Sequence, residues 1–428
     1  MQNSFLFLVV FTFSLIVNAA YSQLILKGEL RPRSEYRHGY KSLIYTGQTG
    51  ALFTEQRSRL SLKYSTEKYK VGMSIQDIRV WGSQSQLSKT DWLSSFHEAW
   101  GEYNFTQKFS IKLGRQEVVY DDDRIFGAVN WTQQGRSHDL IILKFSDSTI
   151  TVDGGIAYNQ NSESNVGTAY KVANNYKEMQ FLWVNKKLSQ FNASFLIVNH
   201  GVQSTVSNTG TRYSQTLGPY IGFIKNKLSA SLRTYYQTGT DGATKRDIAA
   251  YYAGVDVSYN VNSKLSIGVG SEILSGQSQT DTLKAYVDVN HAFNPLYGSA
   301  HKFNGFMDYF YAGNHINSVG LGDFYFKAKY NMKKGWIGLD VHQFISGADV
   351  VDKKILAQLS KYKALNSTLG TEIDLSIEWN ITKDVSVMTG YSQMFGTKTL
   401  VEIKGGSYSR INNWAYLMMT FKPQFLEI

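Results

Sequence analysis

The residues able to do chemistry in this chain are mostly arginines, and they are unevenly spaced. Nine of the thirteen lie at or before Arg136 (31, 33, 37, 57, 59, 79, 115, 124 and 136), and only four follow. The stretch Gly114 to Asp139 reads GRQEVVYDDDRIFGAVNWTQQGRSHD and sets Arg115, Arg124 and Arg136 around the run Asp121, Asp122, Asp123. A guanidinium offers a planar fork of donors that meets a carboxylate through two parallel hydrogen bonds. A row of such groups beside water is a rail for anions or carboxylated sugars. The plainer reading is neutralisation by Glu29, Glu35, Glu55, Glu98, Glu102 and the aspartates. Both roles can coexist, because Lys and Arg total 44 against 34 Asp and Glu.

The aspartate run raises two further chemistries. A hard cation wants several oxygens, and glycoside cleavage wants two carboxylates about 5–10 Å apart. Adjacent aspartates on an extended chain point to opposite sides, so the simpler role is pairing with Arg115, Arg124 and Arg136. The eight histidines show neither HxxxH nor HExxH spacing, and the sequence calls for no metal and no cofactor. Neither GxSxG nor a P-loop occurs, and spacing alone shows no Ser-His-acid set. Trp81, Trp92, Trp100, Trp131 and Trp183 could stack on sugar rings, although interfacial girdles and wall packing are the commoner uses.

What must position these groups is a β scaffold. In Leu24 to Arg37 the charges Glu29, Arg31, Arg33, Glu35 and Arg37 occupy odd positions, with Leu26, Leu30 and Tyr36 between them. Glu55, Arg57, Arg59 and Lys63 oppose Leu60, Leu62 and Tyr64 in the same way. A strand sends alternate side chains to opposite faces. Facing the charged side to hydrocarbon would cost roughly 2–4 kcal/mol per basic residue near the bilayer midplane, more in sum than an ordinary domain's stability. The charges must face inward, around water.

The alternation recurs to Phe421, with short connections such as Thr66–Lys68 and Asn380–Lys383 alternating with long ones such as 117–135 and 275–320. That is the pattern of a membrane barrel with short periplasmic turns and long outer loops. The expected fold is all-β: a single transmembrane antiparallel barrel of about 18 strands with loops folded inward, or about 20 if Ala285–Asn290 is a further strand. The run from Trp414 to Phe421 would close it against the first strand. About 18 strands leave an aqueous lumen that side chains alone cannot fill. The early arginines would share one wall, within the roughly 8 Å Debye length of physiological salt.

Composition narrows the class. With no cysteine there is no disulfide framework or thiolate metal site. The net charge of +10 invites a nucleic-acid reading, but the cations stand singly through alternating runs rather than in a patch, which argues against it. Phe5 to Val17 is an apolar run too short to span a bilayer, followed by small residues at Ala20 and Ser22. It reads as an export signal, residues 1–22, cleaved before Gln23 despite a leader without Lys or Arg. Residues 23–428 then form the barrel domain.

Four motifs carry a resemblance. LRPRSEYRHGY (Leu30–Tyr40), EQRSRLSL (Glu55–Leu62), LGRQEVVYDDDRIFGAVNWTQQGRSHD (Leu113–Asp139) and NPLYGSAHKFNGFMDYF (Asn294–Phe310) together resemble the alginate-export porin family in its Bacteroidetes form. The resemblance implies an outer-membrane barrel that is not an enzyme and that passes a polyuronate through an arginine-lined constriction. It further implies pore-lining roles for Arg33, Arg37, Arg57, Arg59, Arg115, Arg124 and Arg136, an acidic part at Asp121–Asp123, and a constriction or gating role for His301 and Lys302. The short Asn380–Lys383 connection departs from a family-like periplasmic gate. The expected function is passive diffusion of anionic or sugar-like solutes, including export of an alginate-like polysaccharide. The expected partners are membrane lipid and the solute. A barrel enzyme acting on lipid or glycan, and a loop-plugged structural or adhesive barrel, are the alternatives.

Overall fold

The two-residue rhythm folds as its chemistry demands. The computed structural model describes residues 22–91, 93–170, 172–203 and 210–428, which form eighteen wall strands. They run β1 (Gln23–His38), β2 (Ala51–Ser65), β3 (Tyr69–Val80), β4 (Ser94–Asn104), β5 (Phe109–Gln116), β6 (His138–Ser146), β7 (Ile150–Tyr158), β8 (Glu178–Leu188) and β9 (Phe191–Gln203). The second half is β10 (Thr211–Lys225), β11 (Leu228–Gly239), β12 (Ala250–Asn260), β13 (Leu265–Leu274), β14 (Leu321–Met332), β15 (Gly335–Ile345), β16 (Thr368–Asn380), β17 (Val385–Gly396) and β18 (Asn412–Phe421). The last resumes as Gln424–Glu427 after Lys422–Pro423, where proline has no N–H to give the ladder. The export signal and Trp92 fall on residues outside those described, apart from Ser22.

Each strand pairs antiparallel with the next, and β1 closes on β18 from Leu30 opposite Phe421 to His38 opposite Asn413. A wall strand over Ala285–Asn290 does not form. Lys284–Val287 is one helical turn, and Val289–Asn290 makes a two-residue parallel bridge with Asp247–Ile248. The physical reason is that β13 pairs directly with β14, so no free strand edge remains for it. The count is eighteen. The short turns gather at one rim with the start of β1 and the end of the last strand, where the Leu24 N–H donates to the Ile428 carbonyl at 2.8 Å. The long loops gather at the other.

Alternation sorts the two faces. Leu60, Val71, Met73, Ile75, Ile141, Leu143, Val255, Phe324, Phe326 and Leu375 are exposed on the outside. This is an apolar belt of the kind that hydrocarbon covers. Among the described residues no helix is long and apolar enough to cross a membrane; in this fold strands do the crossing. The hydrophobic core lies inside the barrel. Ile125 and Phe126 from the loop 117–137, and Phe293, Met307, Tyr309 and Phe310 from the loop 275–320, pack against inward Phe181, Tyr252, Phe344 and Trp414. Close approach of loop to wall shows at Gly305, where φ is +78° and a Cβ would lie 2.5 Å from the Glu372 carboxylate. Only glycine accepts both conditions.

Candidate functional site in the lumen

The segment 117–137 is a strap across the lumen, and the inward arginines hold one end of it. All three guanidinium nitrogens of Arg31 donate to it: to the Asn130 carbonyl (2.8 Å), the Thr132 carbonyl (3.0 Å) and the Gln133 side-chain oxygen (3.0 and 3.1 Å). Arg33 donates to the Trp131 carbonyl at 2.6 Å and to Glu35 at 2.9 Å, and also pairs with Glu55. Arg57 reaches the Gln133 carbonyl (3.2 Å) and Glu29 (2.7 Å). Arg59 is held by Gln76, whose amide in turn donates to the Gln134 carbonyl at 2.9 Å. Arg37 pairs with Glu35 and stacks on Tyr40 and Phe53. Strap carbonyls, left without a sheet partner, thus find donors on the wall.

The aspartate run anchors the strap across the barrel. Asp121 accepts from Ser194 (2.6 Å) and the Trp183 indole (3.2 Å), Asp122 pairs with Arg233 of β11 (3.1 Å), and Asp123 pairs with Lys302 (3.0 Å). This corrects the expected pairing with Arg115, Arg124 and Arg136. Asp121 and Asp123 have positive φ, +54° and +72°, so the chain turns at each and spreads the three carboxylates to different partners. Burial pushes the Asp121 carboxyl up to about 6 against the two donors it receives. Burial likewise raises Asp122, with Arg233 opposing. Arg124 is fully buried against Glu272 of β13 at 2.8 Å, with Tyr252 and Phe303 on its faces. Arg136 donates to the Gly298 carbonyl of the second loop.

Arg115 departs from the expected lumenal position. It shares the outward parity of Leu113 and pairs with Asp139 at 2.9 Å, both side chains about half exposed. Arg79 does the same with Asp77 and Asp91 near the long-loop rim. His301 and Lys302 form a short 3-10 turn in the second loop. The His301 ring stacks at 4.4 Å on Trp131, which also carries the Arg33 guanidinium at 4.1 Å. His301 pairs with Asp308, whose carboxyl resists the upward push of burial and stays below its usual range. Trp131, His301 and Lys302, with Asp123, Val129, Met388 and Tyr416, line a cavity of about 250 Å³ between strap and wall. Val129 there has φ +53°, a strained position for a β-branched residue.

Below the strap, Lys63 of β2, Lys112 of β5 and Lys144 of β6 share inward parity with Arg59, and among the described residues none of the four has a carboxylate at ion-pair distance. Sequence reasoning put Lys63 on the inward face without a site role, and passed over Lys112 and Lys144 as well as Arg233, Glu272 and Gln133. The signal was parity: each falls on the inward phase of a strand, except Gln133, which nothing local marks. A Ser137–His97–Glu117 set also appears, at 3.2 and 2.7 Å. The serine meets Nδ1 and the acid Nε2, the reverse of a hydrolytic triad, and the hydroxyl donates to the His97 carbonyl at 2.6 Å. It ties the strap's end to β4.

No family model matches the chain, and no curated protein matches it. Solved structures do. OccAB4 of Acinetobacter baumannii superposes with a TM-score of 0.63 at 10% identity, covering 96% of this chain and 100% of that one. OpdL of Pseudomonas aeruginosa gives 0.62 at 10%, covering 94% and 99%. A BenF-like porin from Pseudomonas fluorescens Pf-5 gives 0.61 at 11%, also covering 94% and 99%. At such identity the likeness is one of fold: the chain has the closed eighteen-strand barrel of these proteins.

Proposed function

We propose that this chain is a passive outer-membrane channel for anionic or sugar-like solutes, and that an alginate-like acidic polysaccharide is within its range. The observation carrying this reading is the set of inward cations on β2, β5 and β6 without carboxylate partners. Several positive charges around water lower the barrier for carboxylates, and a series of weak sites lets the solute leave again. The apolar belt supports a lipid surround, and the fold is that of proteins named as porins. The four motifs support the finer alginate-export reading, and residues 1–22 serve in it as an export signal removed before Gln23. No bond is made or broken.

Reversal potential across a planar bilayer under a KCl gradient tests it. The expected result is chloride over potassium, moving toward potassium when Lys63, Lys112 and Lys144 are replaced by glutamate. Preference for potassium in the unaltered protein, or an absence of conductance, refutes the reading.

A further inference from the structure

The rim formed by the short turns carries cations that no carboxylate of the chain answers. Six of its eight turns hold an exposed lysine in the turn or on the strand residue beside it, from Lys68 in the first to Lys383 in the last, with pairs at Lys225 and Lys227 and at Lys333 and Lys334. That makes eight lysines against three carboxylates, Glu67, Asp147 and Asp384, over the same positions. Among the described residues none of the eight lies at ion-pair distance from a carboxylate. Of their ammonium groups only that of Lys227 makes a hydrogen bond, to the Val261 carbonyl at 3.2 Å. Asp147 is occupied by its own turn, accepting from the backbone N–H groups of Thr149 and Ile150 at 2.8 and 2.9 Å. Outward cations near the other rim differ: Arg79 is paired with Asp77 and Asp91, and Arg115 with Asp139.

An aromatic girdle adjoins these lysines. Tyr69 follows Lys68, Phe109 follows Lys108, and Tyr259 and Trp379 lie a few residues before Lys264 and Lys383. All four rings are exposed and share the outward parity of Val71, Leu113, Val257 and Leu375 on their strands. Aromatic residues on the outside of a membrane barrel collect at the level of the lipid headgroups. A lysine just beyond that level lays its apolar stem along the girdle and brings its ammonium to the phosphates.

We propose that this rim is a docking surface for anionic phospholipid, its lysines holding the headgroup phosphates of the leaflet in which the girdle lies. Three features select that occupant. The lysines stand on turns spread round the barrel, from β2–β3 to β16–β17, so a leaflet meets all of them at once, whereas a soluble chain or protein meets one side. All eight are lysine rather than arginine: a point charge that takes phosphate oxygens at varied angles, without the planar fork that seats carboxylates. Their charge is not spent within the chain, so a lipid of net negative charge gains over a zwitterionic one, by about fivefold for one lysine near the headgroups. The inference rests on the membrane reading of the barrel and adds to it a preference for one class of lipid on one side.

The test is quenching of tryptophan fluorescence in vesicles that mix brominated phosphatidylglycerol with plain phosphatidylcholine, set against the reverse labelling. The part of the quenching lost in Trp379→Phe reports the short-turn girdle. Phosphatidylglycerol is expected to be preferred about fivefold in low salt, and the ratio should fall toward one in about 1 M KCl, where charges are screened beyond about 3 Å. Replacing the eight lysines with glutamine should bring the ratio to about one in low salt as well. Replacing only Lys225, Lys227, Lys333 and Lys334 should lower it about twofold, which decides the matter if the larger variant does not assemble. Glutamine at Lys63, Lys112 and Lys144 should leave the ratio unchanged, because those side chains face the lumen, while still moving the reversal potential. The proposal falls if phosphatidylglycerol is not preferred, if its preference survives high salt or the rim substitutions, or if polygalacturonate binds the detergent-solubilised protein through the rim lysines while phosphatidylglycerol shows no advantage. A barrel that prefers phosphatidylglycerol without conducting removes only the channel reading; chloride preference without lipid preference removes only the docking surface.

Discussion

Replacing Arg31 with methionine should loosen the strap while leaving the barrel wall intact. Arg31 is buried and gives every guanidinium nitrogen to the strap between Asn130 and Gln133. Hydrogen bonds to a charged group contribute about 1.5–3 kcal/mol each, and breaking a buried charged network costs about 3–5 kcal/mol. Two effects lower that figure. Methionine keeps the apolar stem, so little cavity opens. Arg31 also sits directly opposite Arg57 in the β1–β2 register, a like-charge pair that opposes pairing by up to about 1 kcal/mol. A net loss of about 2–3 kcal/mol remains, which raises the population of detached strap by about 30–150-fold. Single-channel recording reads this as larger conductance and more frequent flicker. The gel-mobility shift on heating reads the wall and should move little, because the backbone ladder is untouched. A cycle with Gln133→Leu should show the two substitutions to be non-additive. Unchanged conductance and flicker in Arg31→Met, or strict additivity with Gln133→Leu, would refute the argument that wall arginines hold the strap.

Other expectations separate anchoring charges from free ones. Arg115→Glu should leave the reversal potential where it is, because that side chain faces outward beside Asp139, whereas Lys112→Glu should shift it toward potassium. Arg233→Met should lower the temperature of the heat-induced mobility shift, since it takes the cation from Asp122 and Asp256 and leaves Glu272 with Arg124 alone; loss of a buried partner of this kind costs about 3–5 kcal/mol. Strap flicker should depend on pH through Asp121. Its carboxyl is raised to about 6, so the favourable contribution is complete below the ordinary aspartate range and is lost as pH rises through about 6. Two units correspond to about 3 kcal/mol at most. Flicker should therefore increase between pH 5 and 7, and Asp121→Asn should abolish that dependence.

Strand rhythm made most of the wall legible, down to the closure of Trp414–Phe421 on β1, because each strand turns an apolar face outward and a polar face inward. The same rule could have corrected Arg115 and found Arg233, as parity with Leu113 and with Ser231 places them outside and inside. The partners of Asp121, Asp122 and Asp123 were not legible. They depend on where a loop without periodicity crosses the lumen, and on two positive-φ turns that no local pattern announces. Helix content in 275–320 was equally hidden, since turns of four and three residues are too short to carry a helical period.

The lumenal cations fall into two groups with opposite consequences for experiment. Arg31, Arg33, Arg57, Arg124 and Arg233 already donate to carbonyls or carboxylates, and an anion passing by would have to displace those partners first. Truncating one of them leaves its old partners buried and unpaired, so the primary effect is on strap position and barrel assembly. Any change in ion preference follows from the altered opening. Lys63, Lys112 and Lys144 have no carboxylate at ion-pair distance among the described residues, and their removal alters the potential without moving the chain; Arg59 stands between the groups, without a carboxylate but bound to the Gln76 that holds the strap at Gln134. A reversal of Arg57 and Arg59 together mixes the two groups. Reversal of Lys112 and Lys144 alone isolates electrostatics from gating. If that pair leaves chloride preference intact while Arg57→Glu abolishes it at unchanged conductance, the division into anchoring and free cations is wrong.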